Sequence, residues 1–326
     1  MTFLHDTILQ NDAIFIADSH FKQGDRELLD FFAKIPKNKQ VFLMGDIFHL
    51  LIGSMPTSCM SNHSLIHAIA TLSQTNEVIF LEGNHDFFLQ NIWDNSSRDD
   101  GEYIVHKNSH TSYKDTLLKS IVCDSDEKNF RYKDLIQNYT NNEYGDSQKN
   151  SKKRDIIESQ EINDECSFCS IPIKIYSYNA QPLIIKTQNN HYCILSHGDL
   201  WISSFYHFYR HFINNPIVLF TFEFLDKITY GIIYKRFANR INHRLIAEFS
   251  FFRSDFNDFL SKRLAIYYDN IIMPLIQEGF ARDSDKFYII EGHFHLGKSL
   301  NKGNIFYNSL YSSFFHKKYF SFNMIE

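Results

Sequence analysis

Short apolar runs alternate with amphipathic stretches over the first ninety residues. Residues 13–17, 41–44 and 78–81 are almost wholly apolar, as expected for strands covered on both faces. Between the first two runs, Leu28, Leu29, Phe32 and Ile35 recur at helical spacing over 26–35, and a second helical stripe runs through 63–72. This alternation predicts the α/β half of a layered sandwich. Apolar runs return at 183–185 and 192–196, joined by a Gln-Asn-Asn turn, and again at 287–290, 304–307 and 319–322. Residues 201–276 read mostly helical, with Phe252, Phe256, Phe259, Leu264 and Tyr267 at helical spacing.

Between these two halves the composition changes. From 96 to 182 the chain is rich in Asn, Asp, Lys, Ser and Glu, and 141–165 has almost no apolar periodicity. Such a stretch buries too little apolar surface to offset the entropy of ordering it. Residues 96–182 are therefore expected to be a polar insertion, partly disordered, in a domain made of 1–95 and 183–326.

Five short segments carry chemistry. They are Ala17-Asp18-Ser19-His20, Gly45-Asp46, Gly83-Asn84-His85-Asp86, His197-Gly198-Asp199 and Gly292-His293-Phe294-His295. Most sit just after an apolar run, where rigid backbone can aim side chains into one crevice. Carboxylate, amide and imidazole donors together suit Mn, Fe, Zn or Co better than an all-oxygen magnesium site. Two such ions about 3.5–4 Å apart can bind a phosphoryl group and lower the pKa of a water between them. A carboxylate bridging both ions would fix that distance, and Asp46 is the candidate. No cysteine lies in any of the five segments, so a structural zinc is not expected there.

In this order the segments resemble the D-x-H, G-D, G-N-H-D, H and G-H-x-H signature of calcineurin-like metallophosphoesterases. The resemblance covers roughly 12–95 and 190–326. It implies a β-sandwich flanked by helices, with a helical lid inserted at about 201–276. It implies that Asp18, His20, Asp46 and His295 hold one divalent ion. Asp46, Asn84, His197 and His293 hold the other, with manganese the expected metal. His85 would be the general acid and Asp86 its orienting partner. Asp199 would either orient His197 or cap the following helix.

Within that superfamily the chain looks most like the UDP-2,3-diacylglucosamine pyrophosphohydrolases of lipid A synthesis. Gly45-Asp46-Ile47-Phe48-His49-Leu50-Leu51-Ile52-Gly53 resembles their G-D-L-F-E-x-W-I-G, and Gly83-Asn84-His85-Asp86-Phe87-Phe88-Leu89 their G-N-R-D-F-L-L. The likeness implies a lipid-linked nucleotide substrate and a peripheral place on the cytoplasmic face of the inner membrane. Three departures stand out: His85 where that group carries Arg, His49 where it carries Glu, and Leu296 where an Arg-Pro tail is usual. The competing expectation is a metallophosphoesterase acting on a soluble phosphodiester or phosphomonoester. In the helical segment Arg236, Arg240 and Arg244 are candidates for contacting the substrate, and Arg210, Lys227 and Lys235 add to its basic edges.

Composition narrows the rest. A net charge of −5 and a pI near 6.3 give no electrostatic footprint for nucleic acid. The 32 Phe and 18 Tyr read either as composition bias and core packing or as an apolar surface for acyl chains. Five cysteines, an odd number, and a first segment without a basic or apolar leader pattern suggest a reducing compartment. Cys166 and Cys169 form a C-x-x-C with no second pair at zinc-ribbon spacing. The longest apolar stretch, 216–234, is interrupted by Glu223, Asp226 and Lys227, which argues against a membrane span. The oligomeric state is not legible.

Overall fold

Two sheets, built largely from the apolar runs, stack face to face. A computed structural model describes residues 4–90, 92–93, 173–243, 246 and 253–322, which fall within one compact unit. The 141–165 stretch, the Cys166/Cys169 pair and Arg244 lie outside the described residues.

In chain order the strands are β1 (Leu4–Leu9), β2 (Ile14–Ile16), β3 (Gln40–Leu43), β4 (Leu51–Ile52), β5 (Glu77–Leu81), β6 (Asp86–Phe87), β7 (Lys174–Tyr176), β8 (Leu183–Thr187), β9 (Tyr192–Ser196), β10 (Phe287–Glu291), β11 (Lys298–Lys302), β12 (Ile305–Ser309) and β13 (Phe320–Ser321). One sheet has the order β13-β2-β3-β5-β7 and the other β1-β8-β9-β10-β12-β11; β4 and β6 pair separately. β2, β3, β5 and β7 run parallel, and so do β9, β10 and β12. Parallel central strands explain the continuous apolar runs, because both faces are covered.

Alternation sorts each run between two layers. Phe15, Ala17, Phe42, Met44, Ile79 and Leu81 meet Leu183, Ile185, Cys193, Leu195, Tyr288 and Ile290 in the core between the sheets. The opposite face of the second sheet offers Ile184, Tyr192, Ile194, Phe287 and Ile289 to Leu260, Leu264, Tyr267, Ile271 and Leu275. Those last residues belong to the helix Arg253–Tyr267 and the helical turns that follow it to Gln277. The helices Arg26–Ala33 and His63–Ser73 flank the first sheet and bury Leu28, Phe32, Leu65, Ile66 and Ile69. This is the α/β sandwich with flanking helices that the sequence predicts.

The region after β9 folds as helices Ser204–Ile213, Pro216–Ile228 and Ile232–Asn242. Each begins with a recognisable signal. Ser203 and Asn215 cap the first two with side-chain acceptors, Pro216 occupies an early position, and Gly231 supplies the left-handed turn (φ 77°) before the third. Ile213, Leu219 and Tyr234 anchor this group on Leu50, Ile52, Met55 and Phe87.

β7 departs from expectation. It falls inside the stretch read as insertion, yet it pairs with β5 and extends the first sheet. Its sequence, Lys-Ile-Tyr, is too short and too polar to stand out from its surroundings. No helix among the described residues is long and apolar enough to cross a membrane.

Candidate metal centre

Five strand ends deliver the site. β2 stops at Ile16, two residues before Asp18; β3 at Leu43, before Gly45-Asp46; and β5 at Leu81, before Gly83-Asn84. β9 stops at Ser196, directly before His197, and β10 at Glu291, directly before Gly292-His293. The first sheet thus supplies Asp18, His20, Asp46 and Asn84, and the second supplies His197, His293 and His295.

The side chains converge around Asp46. On one side, Asp18, His20 and His295 bring ligand atoms within 4.8 Å of one another, and Asp18 Oδ1 lies 3.0 Å from His295 Nε2. On the other, Asp46, His197 and His293 do the same. There His197 Nε2 lies 3.6 Å from Asp46 Oδ2, 3.3 Å from Asn84 Oδ1 and 3.2 Å from His293 Nδ1. All seven residues expected as ligands come together in one cleft. Asn84, His293 and His295 are half-buried at its mouth, while Asp18, His20, Asp46 and His197 form its floor.

The backbone is bent to make this possible. Asp18 (φ 52°), His20 (φ 44°), Asp46 (φ 52°), His293 (φ 52°) and His295 (φ 55°) all occupy the left-handed region. Non-glycine residues rarely do so, and such strain concentrates at functional sites. Two glycines permit the close approach of the loops. A Cβ on Gly83 would lie 2.2 Å from Asp46 Oδ1, and one on Gly45 would lie 2.5 Å from His197 Nδ1.

Backbone groups aim the side chains. The Met44 carbonyl accepts from His197 Nδ1 (2.9 Å), which turns Nε2 to the cluster. Asp18 Oδ2 accepts from the His293 N–H (3.0 Å), leaving Oδ1 buried without hydrogen-bond geometry. His20 Nδ1 is likewise buried without a hydrogen-bond partner. Gln181 joins the sheets: it accepts from His197 N (2.8 Å) and donates to the Glu82 carbonyl (2.8 Å).

Charge and burial oppose one another here. Burial alone would raise the Asp46 carboxyl, but the imidazoles of His197, His85 and His20 outweigh it and hold it well below the ordinary carboxylate range. Burial would push His197 down, yet Asp46, Asp199 and Asp18 hold it up at about 9. Burial takes His20 down to about 3 and His293 to about 4, so both are neutral at pH 7. Neutral imidazole, carboxylate and amide donors fit a divalent transition ion on each side of Asp46. The proton on His197 stands where an ion would supply the positive charge.

Three expectations are corrected. Asp86 does not orient His85. Its oxygens accept the backbone N–H groups of Asp46 (2.9 Å), Ile47 (2.6 Å), Phe48 (3.1 Å) and Gly83 (2.8 Å), so it ties the Asp46 loop to the Asn84 loop. The orienting group is the His49 carbonyl, 2.6 Å from His85 Nδ1. Asp199 neither orients His197 nor caps the next helix, whose cap is Ser203. It instead pairs with Arg210, 2.9 Å from Nε, both fully buried, and accepts from Tyr206 Oη at 3.1 Å. Arg210, expected on a basic edge, is packed 4.5 Å from the centre of the Tyr178 ring. Arg236 and Arg240 are exposed on the helix Ile232–Asn242.

Two further residues carry no motif. Arg263 is buried among the site loops: Nη1 donates to the Leu200 carbonyl (2.9 Å) and Nη2 to the Gly198 carbonyl (3.1 Å). Nη2 also lies 2.7 Å from Glu291 Oε2, and Tyr267 and Tyr307 donate to the same carboxylate. One guanidinium therefore braces the strand ends that carry His197 and His293. His49, seen in the sequence only as a departure from a motif, stands with its ring 5.5 Å from that of His85 and 5.7 Å from that of His20.

A sequence model of the calcineurin-like phosphoesterase family matches residues 13–201. A comparison with curated proteins finds no match.

Proposed function

The chain belongs to the calcineurin-like phosphoesterase family, whose members are metal-dependent hydrolases of phosphoric esters, and from that premise we propose that it cleaves the pyrophosphate of UDP-2,3-diacylglucosamine. The products would be UMP and 2,3-diacylglucosamine 1-phosphate. Manganese is the proposed metal. The site of action is the cytoplasmic face of the inner membrane, with the protein held peripherally.

One observation carries the choice of a lipid substrate. The helices Ser204–Ile213, Pro216–Ile228 and Ile232–Asn242 bury one face against Leu50 and Phe87 and turn further large apolar side chains to solvent. Phe205 is 80% exposed, Ile217 76%, Phe220 62% and Phe224 54%. Apolar surface of this kind on a monomer marks a binding face, and a small polar substrate needs none. The same helices reach the centre. The Ile241 carbonyl is 3.2 Å from His49 Nε2, and Tyr234 Oη donates to the Leu50 carbonyl at 3.2 Å. Acyl chains lying there would contribute about 0.8 kcal/mol per buried methylene, most of it far from the reacting phosphorus.

Asp18, His20 and His295 would hold one ion and Asn84, His197 and His293 the other, with Asp46 common to both. Such a pair, when bound, polarises the phosphoryl oxygens and makes a water nucleophilic near neutral pH. Asp86 keeps Asp46 and Asn84 in register through four backbone N–H groups. His85 has its Nδ1–H committed to the His49 carbonyl, so Nε2 is the nitrogen that can hand a proton to the leaving oxygen.

The test is a single assay panel: UDP-2,3-diacylglucosamine, a soluble phosphodiester and a phosphomonoester, each with Mn, Mg and Zn. Release of UMP from the lipid substrate at a kcat/KM at least a hundredfold above the soluble compounds is expected. Equal or better turnover of the soluble compounds would overturn the lipid assignment and leave the phosphoesterase activity standing.

A further inference from the structure

Two imidazoles on the helix Ser204–Ile213 face each other, and neither is a ligand of the ions around Asp46. His207 and His211 stand four residues apart, both exposed, with their Nε2 atoms 3.0 Å apart. Their ring centroids lie 4.3 Å apart, with the rings nearly perpendicular at 88°. Helical spacing alone does not produce this. His63 and His67, also four apart, on the helix His63–Ser73, keep their ring centroids 6.2 Å apart at 30°.

The first pair is packed against Tyr178, a buried residue that opens the turn leading to Gln181. The Tyr178 hydroxyl lies 3.1 Å from His207 Nδ1, and the two imidazole centroids lie 6.2 and 6.1 Å from its ring. Arg210, on the same face of the helix, sits 4.5 Å over that ring, and its charge is matched by Asp199 inside the protein. A ligating imidazole commonly gives its other N–H to a nearby acceptor, which fixes the tautomer and ring orientation. With Tyr178 Oη accepting from His207 Nδ1–H, the lone pair of His207 Nε2 is left for an ion. The His211 ring is exposed, so its proton can sit on Nδ1 toward water, and its Nε2 lone pair is left as well. Without an ion, one Nε2–H donates to the other Nε2.

We propose that His207 and His211 form a two-imidazole site for a borderline divalent ion such as Zn²⁺, and that the ion fastens the helix Ser204–Ile213 to the turn that carries Tyr178. Two histidines four apart on one helix face are a spacing with which proteins hold zinc. Imidazole donors favour Zn²⁺ over Mg²⁺ or Mn²⁺, which prefer oxygen. The geometry fits. At Zn–N bonds of about 2.0–2.1 Å, donor atoms 3.0 Å apart subtend roughly 95° at the ion. An opening of about 0.3–0.4 Å reaches the tetrahedral angle, with water in the remaining positions. The chelate closes only while residues 207–211 are helical, so binding stabilises that turn by linkage. Through the hydroxyl of Tyr178 the constraint passes to the segment before Gln181, the residue that joins the two sheets. The inference is independent of the proposed substrate.

The test uses zinc alone as the probe. Full-length protein and its His207→Gln, His211→Gln and Tyr178→Phe variants are dialysed against buffered free zinc and their bound metal is measured, with the unfolding curve of each variant as a check on the fold. Comparison with the wild type cancels zinc held elsewhere on the chain. His207→Gln and His211→Gln should each bind one zinc fewer than the wild type. Tyr178→Phe should bind the same number, with that ion held about tenfold more weakly, because the group behind a ligand is lost. His63→Gln, at the same spacing from His67, should match the wild type. Zinc should slow amide hydrogen exchange over 207–213 at least tenfold in the wild type and leave it unchanged in His207→Gln and His211→Gln. Folded His207→Gln or His211→Gln protein that binds as much zinc as the wild type would overturn the site, and so would an equal loss in His63→Gln. Loss of the ion from those variants without any zinc-dependent slowing in the wild type, or unchanged affinity in Tyr178→Phe, would overturn the fastening role.

Discussion

Replacing Arg263 by Met removes a single charge that serves five groups at once: the Glu291 carboxylate, the Gly198 and Leu200 carbonyls and, through Glu291, the Tyr267 and Tyr307 hydroxyls. Truncating one partner of a buried ion pair typically costs about 3–5 kcal/mol. Each carbonyl left without its donor adds about 1–3 kcal/mol. The tyrosine hydroxyls remain on Glu291 and soften the loss, so the expected destabilisation is at least about 4 kcal/mol. That is a large share of the ~5–15 kcal/mol that holds a domain. The double variant Arg263→Met, Glu291→Gln removes the stranded charge while keeping an acceptor for the tyrosines. It should recover about 2 kcal/mol, yet it still leaves the Gly198 and Leu200 carbonyls unbraced. Urea unfolding of ion-free protein measures the stabilities, and Mn²⁺ affinity by chelator competition reports on the loops of His197 and His293. Stability should recover in the double variant while ion affinity stays weak. The bracing role is refuted if Arg263→Met costs less than about 1 kcal/mol, or if the double variant is no more stable than the single.

Three more predictions follow from the centre and the helices. Asp46→Ala should abolish turnover and loosen both ions, since one carboxylate faces both ligand groups; metal analysis showing two tightly bound ions would reject its bridging place. His197 sits at about 9 against an ordinary 6.5, so its charge stabilises the ion-free fold fully below pH 6.5, and that contribution is lost as pH rises through 9. An ion must displace that proton, so Mn²⁺ affinity should rise about tenfold per pH unit between 7 and 8.5 with about one proton released; calorimetry in buffers of different ionisation enthalpy would show otherwise if affinity were flat. Phe220→Asp or Phe224→Asp, both on exposed positions, should leave stability within about 0.5 kcal/mol and weaken turnover of the lipid substrate at least tenfold more than that of a soluble phosphodiester; equal loss on both would count against the acyl surface.

The parts of this fold that were legible are those where local pattern and tertiary role coincide. β2, β3, β5, β9 and β10 are central parallel strands, so their runs are apolar throughout, and the chemistry follows within two or three residues of each. The edges were harder. β11, Lys298–Lys302, has one apolar residue, Leu300, because an edge strand facing water does not need more. β7 was lost in its polar surroundings for the same reason. At the site, residue types and order pointed to the ligands, but not to what holds them. Asp86 looked like a partner for its neighbour His85, yet its four donors include three from a loop some forty residues away. Arg210 looked like a lid charge and Arg263 carried no motif at all, and only packing shows that each is buried beside a carboxylate. The left-handed backbone at Asp18, His20, Asp46, His293 and His295 has no signature in side chains that are not Gly or Asn.

That backbone sets selection for stability against selection for activity. At each of these positions Gly would relieve a conformation that an L side chain occupies only at a cost of order 1 kcal/mol or more. Asn would do so in part. The changes that relax the chain most directly are therefore the ones that delete or weaken a ligand. A lineage, or a laboratory selection, that rewarded only thermal stability would drift toward a firmer protein with an empty centre. Keeping side chains other than Gly at all five of these left-handed positions therefore requires selection for turnover and not for stability alone.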